Sequence, residues 1–230
     1  MTSPDERPLV TADEVARTFG KGPAAVVAVY GATCRVERGD RIAVTGPSGS
    51  GKSTLLHLLA GLDSPTTGTI SWPGIGTKEK LRPGPVAVVF QAPSLMPALD
   101  VLENVALPLV LAGTDDPSAR SAAADALALL GLSALAAKVP DELSGGQAQR
   151  VAVARSLVAN PKLIVADEPT GQLDHATAAV VIDALLSAAL VSGAALLVAT
   201  HDPRVTERFA RRWAMDDGRL RVAEEAACSR

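Results

Sequence analysis

Apolar residues along the chain fall into short runs that alternate with stretches of helical periodicity. Four runs predict buried strands: DRIAVT (40–45), PVAVVF (85–90), KLIVAD (162–167) and ALLVAT (195–200). Apolar positions at helical spacing predict helices over 51–61, 144–159 and 175–191. Strands that alternate with helices are typical of an α/β fold with a mostly parallel sheet.

The region between the second and third predicted strands has a different pattern. It contains no convincing strand, and SARSAAADALALLGL (118–132) predicts a helix. We therefore expect an α-helical subdomain inserted into the α/β core, which also has an N-terminal β-rich part. The predicted organisation is a single domain over 9–221, with core 9–91 and 151–221, a helical subdomain at about 92–150, and tails at 1–8 and 222–230.

Residues 180–200 are apolar enough to resemble a membrane span. Asp183, Ser187 and Ser192 interrupt the stretch, and Gly193 favours a helix end there, followed by the strand ALLVAT. The N-terminus MTSPDERPLV has neither the basic region nor the apolar stretch of a signal peptide. We expect a cytoplasmic, soluble chain without a span of its own.

The composition supports this fold class and narrows the range of partners. Hydrophobic residues make up 47% of the 230 residues, but aromatic residues only 3%, so the core is built from Ala, Val and Leu. Such a core suits parallel strands that are covered on both faces. The net charge of −3 is spread along the chain and predicts no nucleic-acid partner. Cys34 and Cys228 lie far apart and are expected to be free thiols in a reducing compartment.

The segment GPSGSGKS, Gly46–Ser53, has the G-x-x-x-x-G-K-[ST] spacing of a phosphate-binding loop between a strand and a helix. Its glycines let successive backbone N–H groups point at a phosphate, next to the positive end of the helix. Lys52 is predicted to contact the β- and γ-phosphates, Ser53 a Mg²⁺ ion and Thr54 the α-phosphate. The candidate nucleotide-binding residues are Gly46, Pro47, Ser48, Gly49, Ser50, Gly51, Lys52, Ser53 and Thr54. His57, on the same helix, is expected to be a packed residue and not a ligand.

The segment LIVADEP (163–169) places Asp167 and Glu168 at the carboxyl end of a buried strand, where ligands of parallel sheets bind. An acidic pair at this position is commonly the N-cap region of a helix. In a chain with a phosphate loop, it predicts instead that Asp167 holds Mg²⁺ and Glu168 polarises the attacking water.

Two further polar residues, Gln91 and His201, follow predicted strands directly. An isolated Gln or His at such a place is commonly a surface or cap residue. Both strand ends are nevertheless expected at the same sheet edge as the phosphate loop. His201 is therefore a candidate γ-phosphate contact, and Gln91 a candidate for the Mg²⁺ ion or the water.

The segment LSGGQ, Leu143–Gln147, begins a predicted helix that ends near Asn160. Ser144 is its predicted N-cap, while Gly145 and Gly146 leave the N–H groups unobstructed. This pattern fits an ordinary capped helix as well as an anion site. If it is an anion site, two copies meeting head to tail would each cover the partner's γ-phosphate.

These motifs, in this order, resemble those of the ATP-binding cassette ATPases over residues 9–221. Gly46–Thr54 resembles the Walker A motif, Leu163–Glu168 Walker B and Leu143–Gln147 the signature. The Q-loop, D-loop and switch-histidine positions correspond to Gln91, to Gly171–Asp174 and to His201.

The resemblance implies a head-to-tail homodimer with two ATP molecules and Mg²⁺ between the chains. Ser144, Gly145, Gly146 and Gln147 would then serve the partner's nucleotide, and Asp174 would cross the interface. Phe19 matches the aromatic residue that stacks on adenine, with Tyr30 as the rival candidate.

Within the family, VFQAPSLMPALDVLENVALPLVLAG and PDELSGGQAQRVAVARSL are similar to the branch of lipoprotein release, macrolide export and cell division. That likeness implies an integral membrane permease as partner, with a contact surface near Gln91 to Asn104, and a peripheral location at the inner face of the membrane. Two features depart from the branch: Gln172 replaces an asparagine, and the stretch between Trp72 and Val86 is short enough to lack a helix. A cell-division regulator and a soluble ATPase acting on nucleic acid or ribosomes are the alternatives.

Overall fold

The computed structural model describes residues 7–222, so most of both predicted tails, and Cys228, lie outside the described residues. The strands are β1 (Val10–Phe19), β2 (Val26–Val36), β3 (Arg41–Thr45), β4 (Thr67–Ser71), β5 (Val86–Val89), β6 (Leu163–Asp167), β7 (Ala195–Thr200), β8 (Arg211–Asp216) and β9 (Arg219–Val222). The helices are α1 (Lys52–Leu59), α2 (Val101–Leu111), α3 (Asp116–Leu129), α4 (Gly145–Leu157), α5 (His175–Ser192) and α6 (Pro203–Thr206).

The larger sheet has the strand order β5-β6-β7-β3-β8-β9 and is parallel except at β9. This confirms the predicted α/β class with a mostly parallel sheet. β6 and β3 both pair in register with β7, so that Asp167 lies beside Ala199, and Thr45 beside Thr200. Because the strands run the same way, their carboxyl ends form one edge, and the loops that follow them share it.

Both faces of this sheet are covered, which is why its strands read as continuous apolar runs. Ile42 and Val44 pack on one side with the leucines of α1 and with the smaller antiparallel sheet, whose strand order is β2-β1-β4. Ala43 faces the opposite side, where Ile182 and Leu185 of α5 pack. The smaller sheet is the predicted N-terminal β-rich part.

Among the described residues, α5 alone is long and apolar enough to cross a membrane, judged by length and composition. It ends at Ser192 with Gly193 in the left-handed conformation, and the buried strand β7 follows. Its apolar face packs against the larger sheet. The apolar stretch is therefore a helix followed by a strand, as predicted.

The helical region is inserted between β5 and β6 and has a core of its own. Val101 and Val105 of α2 pack with Ala123 and Leu127 of α3 and with Val151 of α4. α4 also contributes Val153 to the core beside the larger sheet, so the predicted boundary at residue 150 falls within a helix that packs on both sides. The short stretch between Trp72 and Val86 contains a 3-10 turn at Lys78–Lys80 and no α-helix.

Candidate active site

The phosphate-loop sequence lies between the end of β3 and the start of α1. Gly51 precedes the helix with φ of 97°, a left-handed conformation that glycine adopts without strain. A Cβ at this position would also overlap Ala28 O of β2. The loop therefore needs glycine here on conformational and steric grounds, and α1 begins directly beside β2.

Lys52 is 4% exposed, and its ammonium group is satisfied by neighbouring oxygens. Nζ donates to Gly46 O and Pro47 O, both at 3.0 Å, and lies 3.5 Å from Glu168 Oε1. Because a buried ammonium is costly without such partners, these contacts hold the side chain at the loop. A phosphate that enters the loop meets a positive charge already in place.

A cleft of about 360 Å³ lies at this end of the sheet and brings most of the predicted site residues together. Its lining consists of Ala28, Ser48, Gly49, Gly51, Lys52, Ser53, Thr54, Gln91 and Glu168. Gly46, Pro47 and His201 border an adjoining hollow, and Ser50 is buried. Sequence reasoning missed Ala28, since nothing local in β2 signals its approach to the loop.

Asp167 ends β6 and lies next to the phosphate loop. Ser53 Oγ donates to Asp167 Oδ1 at 2.8 Å, so that two oxygens of the kind preferred by Mg²⁺ meet here. Among residues 7–222, no group of three or more His, Cys, Asp or Glu side chains suits a metal ion. Ser53 and Asp167 nevertheless fit a magnesium ion, because Mg²⁺ beside phosphate groups takes only one or two protein ligands and keeps several waters.

His57 of α1 approaches the other oxygen of the same carboxylate. Its Nε2 lies 3.6 Å from Asp167 Oδ2, and its ring meets the ring of Phe90 edge-on at 6.1 Å between centroids. His57 is a packed residue, and the side chains it contacts are Asp167 and Phe90 of the candidate site. The sequence did not indicate this, because the contact depends on how α1 crosses β6.

Glu168 follows β6 directly and has φ of 45°, which is strained for a residue with a side chain. Its Oε1 faces Lys52, and its Oε2 lies 3.2 Å from His201 Nδ1. The backbone N–H donates to Ala199 O at 3.1 Å. Strain of this kind persists where the surroundings determine the conformation, and here it directs the carboxylate into the cleft.

Gln91 reaches the same place from the end of β5. A Cβ built on Gly171 would lie 3.1 Å from Gln91 Nε2 and 3.5 Å from Glu168 Oε2. The amide and the carboxylate therefore flank one small space, which exists because residue 171 has no side chain. Gln91 and His201 are both exposed, yet both border Glu168, so neither is an isolated surface residue.

The signature residues lie at the start of α4. Ser144 Oγ accepts from Gln147 N at 3.3 Å, and Gln147 Oε1 accepts from Ser144 N at 2.9 Å, forming a capping box. Gly145 follows Ser144 in the first turn, while Gly146 is buried against Thr177 of α5. Among the residues described, the lining of the cleft does not include this helix end.

Asp174 is the N-cap of α5. Its carboxylate accepts from Ala176 N, Thr177 N and Thr177 Oγ1 at 3.0, 3.1 and 2.6 Å. The hydrogen bonds from Thr177, followed by that from Ala176 N, lower the pKa of Asp174. The hydrogen bonds of its own helix thus favour the ionised form of Asp174, and the Thr177 side chain that donates to it packs against Gly146.

The two adenine-stacking candidates both lie in the smaller sheet, Phe19 at the end of β1 and Tyr30 within β2. Phe19 is 44% exposed and has the guanidinium of Arg17 over its ring at 4.6 Å. Tyr30 is 42% exposed and packs against Gly218, with Arg219 over its ring at 5.2 Å. Neither residue lines the phosphate cleft itself.

A buried lysine and two carboxylates around a phosphate loop, at the carboxyl edge of a parallel sheet, define a P-loop nucleoside triphosphatase. The chain matches the model of the ABC transporter family over residues 29–171. It therefore belongs to that family, as an ATPase subunit that binds and hydrolyses ATP.

Known relatives match nearly the whole chain. The lipoprotein-releasing system ATP-binding protein LolD of Legionella pneumophila (strain Paris) is 42% identical over 223 residues, which cover 94% of this chain and 98% of the relative. LolD of Bordetella pertussis is 41% identical over 228 residues, covering 96% and 99%.

Solved structures agree with the fold. The ATP-binding cassette MJ0796, in a dimeric post-hydrolysis state bound to ADP and Pi, has a TM-score of 0.83 and 33% identity, covering 94% of this chain and 98% of that one. The cbiO1 subunit from Clostridium perfringens, part of the transporter complex cbiONQ, has a TM-score of 0.84 and 28% identity, covering 96% and 89%.

Proposed function

We propose that two copies of this chain close head to tail over two ATP molecules and thereby drive a separate membrane permease of the lipoprotein-releasing type. The observation that carries the proposal is the position of the signature. Ser144 begins a helix whose N-terminal end suits an anion, yet this helix end is not part of the chain's own nucleotide cleft. A second copy would bring that end to the cleft, and the neighbour MJ0796 is described as a dimer.

Each site is then shared between the chains. One chain supplies Lys52, Glu168 and His201, and the partner supplies Ser144, Gly145 and Gly146, with the Gln147 amide next to them. Asp174 stands at the tip of the D-loop, where it crosses to the other copy. A carboxylate at this position suits contact with donors on the partner.

Ser53 and Asp167 are the proposed ligands of Mg²⁺, with Gln91 nearby. When bound, the ion neutralises charge on the β- and γ-phosphate oxygens. The chain's own groups position the rest of the reaction. Lys52 exchanges its loop carbonyls for phosphate oxygens, Glu168 orients the attacking water and accepts its proton, and His201 hydrogen-bonds the γ-phosphate.

The adenine contact is proposed at Phe19, with Tyr30 as the alternative. A stacked aromatic ring contributes about 1–3 kcal/mol per base, so loss of the correct ring is expected to weaken ATP binding by about 5- to 150-fold. Comparing ATP affinity between Phe19→Ala and Tyr30→Ala distinguishes the two. Affinity for tripolyphosphate, which has no base, is the control and should not change in either variant.

A groove of about 440 Å³ between β5 and α2 is the proposed permease contact. Leu107, Pro108 and Leu111 of α2 supply its apolar wall, and Leu111 is 70% exposed. The sequence predicts a contact surface near Gln91 to Asn104, and we extend that surface one turn further along α2, to the apolar wall of this groove. A chain docked here is peripheral to the cytoplasmic face of the membrane.

The permease contact is tested with Leu111→Glu. It is expected to abolish stimulation of ATP hydrolysis by the permease while basal hydrolysis stays unchanged. Leu129→Glu on α3, at a residue that is also exposed and lies at a different groove, is the matched control. Equal loss of stimulation in both variants would remove this groove from the proposal.

The function as a whole is tested by ATP-dependent dimerisation and by recovery of the permease. Glu168→Gln should form a dimer in ATP and Mg²⁺ that persists, as measured by light scattering, whereas Lys52→Ala should remain monomeric. The Glu168→Gln chain should also recover an integral membrane protein from detergent-solubilised membranes. Recovery of ribosomes or nucleic acid instead would favour a soluble ATPase. A Glu168→Gln chain that hydrolyses ATP at the wild-type rate would exclude Glu168 as the base.

A further inference from the structure

The turn between β8 and β9 is hydrogen-bonded to the phosphate loop, although it lies far from that loop along the chain. Gly218, a buried residue of this turn, donates from its N–H to Ser50 O at 3.1 Å. Its own carbonyl accepts from Tyr30 N at 2.8 Å. Main-chain hydrogen bonds on both sides of one glycine therefore connect strand β2, the turn and the loop.

The backbone of β8 and of β2 also packs directly on the loop. A Cβ on Gly46, at the start of the loop, would overlap Met215 O of β8, and a Cβ on Gly51, at its end, would overlap Ala28 O of β2. Met215 is 1% exposed. Because both contacts are with backbone oxygens, which cannot rotate away as a side chain does, the two strands determine where the loop lies.

The hydrogen bond to Ser50 O differs from those to the other loop carbonyls. A loop binds phosphate when its N–H groups face the ligand, so its carbonyl groups face away and need donors elsewhere. Gly46 O and Pro47 O accept from Lys52 Nζ, a group that the proposed function transfers to the phosphates. Ser50 O accepts from a main-chain N–H of another element, so its direction is fixed independently of the lysine.

We propose that Gly218 is a positioning residue of the ATP site, which holds the Ser50 carbonyl and thereby aims the Gly51 N–H at the phosphates. Ser50 O and Gly51 N belong to one planar trans peptide, so the carbonyl and the N–H point in opposite directions. Gly51 lines the cleft. The inference rests on the proposed phosphate contacts of the loop, and it requires neither the second copy nor the permease.

A side chain at residue 218 would displace the turn. Gly218 has φ of 74°, and a Cβ there would lie 2.8 Å from Tyr30 Cδ2 and 3.1 Å from Ala28 O. A methyl group forced into a filled contact shifts the backbone around it. Such a shift lengthens the hydrogen bond from Gly218 N to Ser50 O and releases the carbonyl.

The test is Gly218→Ala, with the binding of tripolyphosphate measured by calorimetry. We expect the Kd for tripolyphosphate and the KM for ATP to rise together by about tenfold, while kcat at saturating ATP changes by about twofold at most. Loss of folded chain alone would instead lower kcat and leave KM unchanged. Gly39→Ala, in the turn between β2 and β3, is the matched control, because its φ is 71° and a Cβ there meets nothing within 4 Å. Its binding should equal that of the wild type.

Two further variants separate the position of the turn from its conformational strain. Gly218→Asn keeps the contact with Tyr30 and adds less strain, since asparagine visits positive φ more readily, so it should weaken binding as much as Gly218→Ala. The pair Gly218→Ala, Tyr30→Ala removes the ring and makes room for the methyl group. It should restore most of the affinity for tripolyphosphate, a ligand that has no base to stack on either aromatic candidate.

The outcomes distinguish this inference from the proposed function. Wild-type affinity for tripolyphosphate in Gly218→Ala or Gly218→Asn, or no recovery in the pair with Tyr30→Ala, overturns the positioning role while the proposed function stands. If Lys52→Ala also binds tripolyphosphate as tightly as the wild type, the loop is not the phosphate site and the proposed function fails as well.

Discussion

Two adjacent glycines of the signature, Gly145 and Gly146, are expected to differ sharply when each is replaced by alanine. A Cβ on Gly146 would overlap Thr177 Cγ2 of α5, whereas a Cβ on Gly145 would lie 3.8 Å from Leu173 Cδ2, an ordinary contact. The glycine at 146 is therefore needed for α4 to approach α5. The glycine at 145 is not needed for packing.

The magnitudes follow from packing and helix propensity. Inserting a methyl group into a filled contact typically costs about 1–3 kcal/mol, so Gly146→Ala should lower the free energy of unfolding by that amount. Gly145→Ala should be neutral or stabilising by up to about 1 kcal/mol, because alanine is the better helix former. Thr177→Ser removes the obstructing methyl group and keeps the hydroxyl that donates to Asp174. In the Gly146→Ala background it should restore most of the lost stability.

The assay is urea unfolding of the two single alanine variants, Thr177→Ser, and the Gly146→Ala, Thr177→Ser pair, with ATP hydrolysis measured in parallel. If both glycines serve the partner's phosphate, hydrolysis should fall in Gly145→Ala even though its stability does not. The reasoning would be refuted if Gly146→Ala unfolds at the same urea concentration as the wild type, or if Thr177→Ser gives no recovery in the pair.

Three further predictions concern single side chains. Burial raises the pKa of Cys34 to about 12. In a Cys228→Ser chain, a thiol reagent at pH 8 should therefore label no cysteine until the protein is unfolded. Labelling of the native chain at the rate of a free thiol would contradict this. Asn104 is fully buried, donates to the carbonyls of Met96, Leu99 and Asp100, and accepts from Met96 N. Asn104→Leu should therefore lose about 2–4 kcal/mol of unfolding free energy in urea denaturation. An unchanged unfolding free energy would contradict this. The lowered pKa of Asp174 contributes stability that is present above its unfolded pKa of about 3.9 and is lost as pH falls through the lower folded value. The stability difference between wild type and Asp174→Asn should be constant above about pH 5 and should shrink progressively as pH falls below about 4. A difference that does not change with pH in this range would exclude the ionised carboxylate as its source.

The sequence predicts those parts of the fold in which an apolar run along the chain is also a buried element of the structure. Buried parallel strands such as β6 and β7 are continuous apolar runs, and Gly193 marks the end of α5 as a left-handed cap. The apolar pattern does not single out helix α2, because Pro108 lies inside it and most of its residues are apolar. The signal for this helix is the capping box of Asp100 and Glu103.

The hairpin of β8 and β9 also had a signal in the sequence. Asp217 and Gly218, both with positive φ, connect its strands, and Asp-Gly is a strong hairpin turn. Strand β1 is harder to read because its register shifts near Glu14, where a bulge breaks the alternation of side chains.

For the site, the motifs identified the residues and their common edge but not how they contact one another. Spacing indicated Asp167, Glu168 and Gln91, while the approach of His57 to Asp167 and the close packing of Gly146 on Thr177 arise from helices crossing in three dimensions. Short motifs contain no information about such crossings. The bonds from Arg155 to Pro93 and Ser94 are of the same kind, since about sixty residues separate donor and acceptors along the chain.

The contacts of Lys52 have a consequence for what happens between one round of hydrolysis and the next. With Gly46 O, Pro47 O and Glu168 around it, the ammonium has partners of its own within the chain and is not a bare buried charge. The same ion pair engages one oxygen of Glu168, the proposed base. In the proposed reaction, a γ-phosphate that takes over the Lys52 ammonium also frees this oxygen of Glu168 for the attacking water.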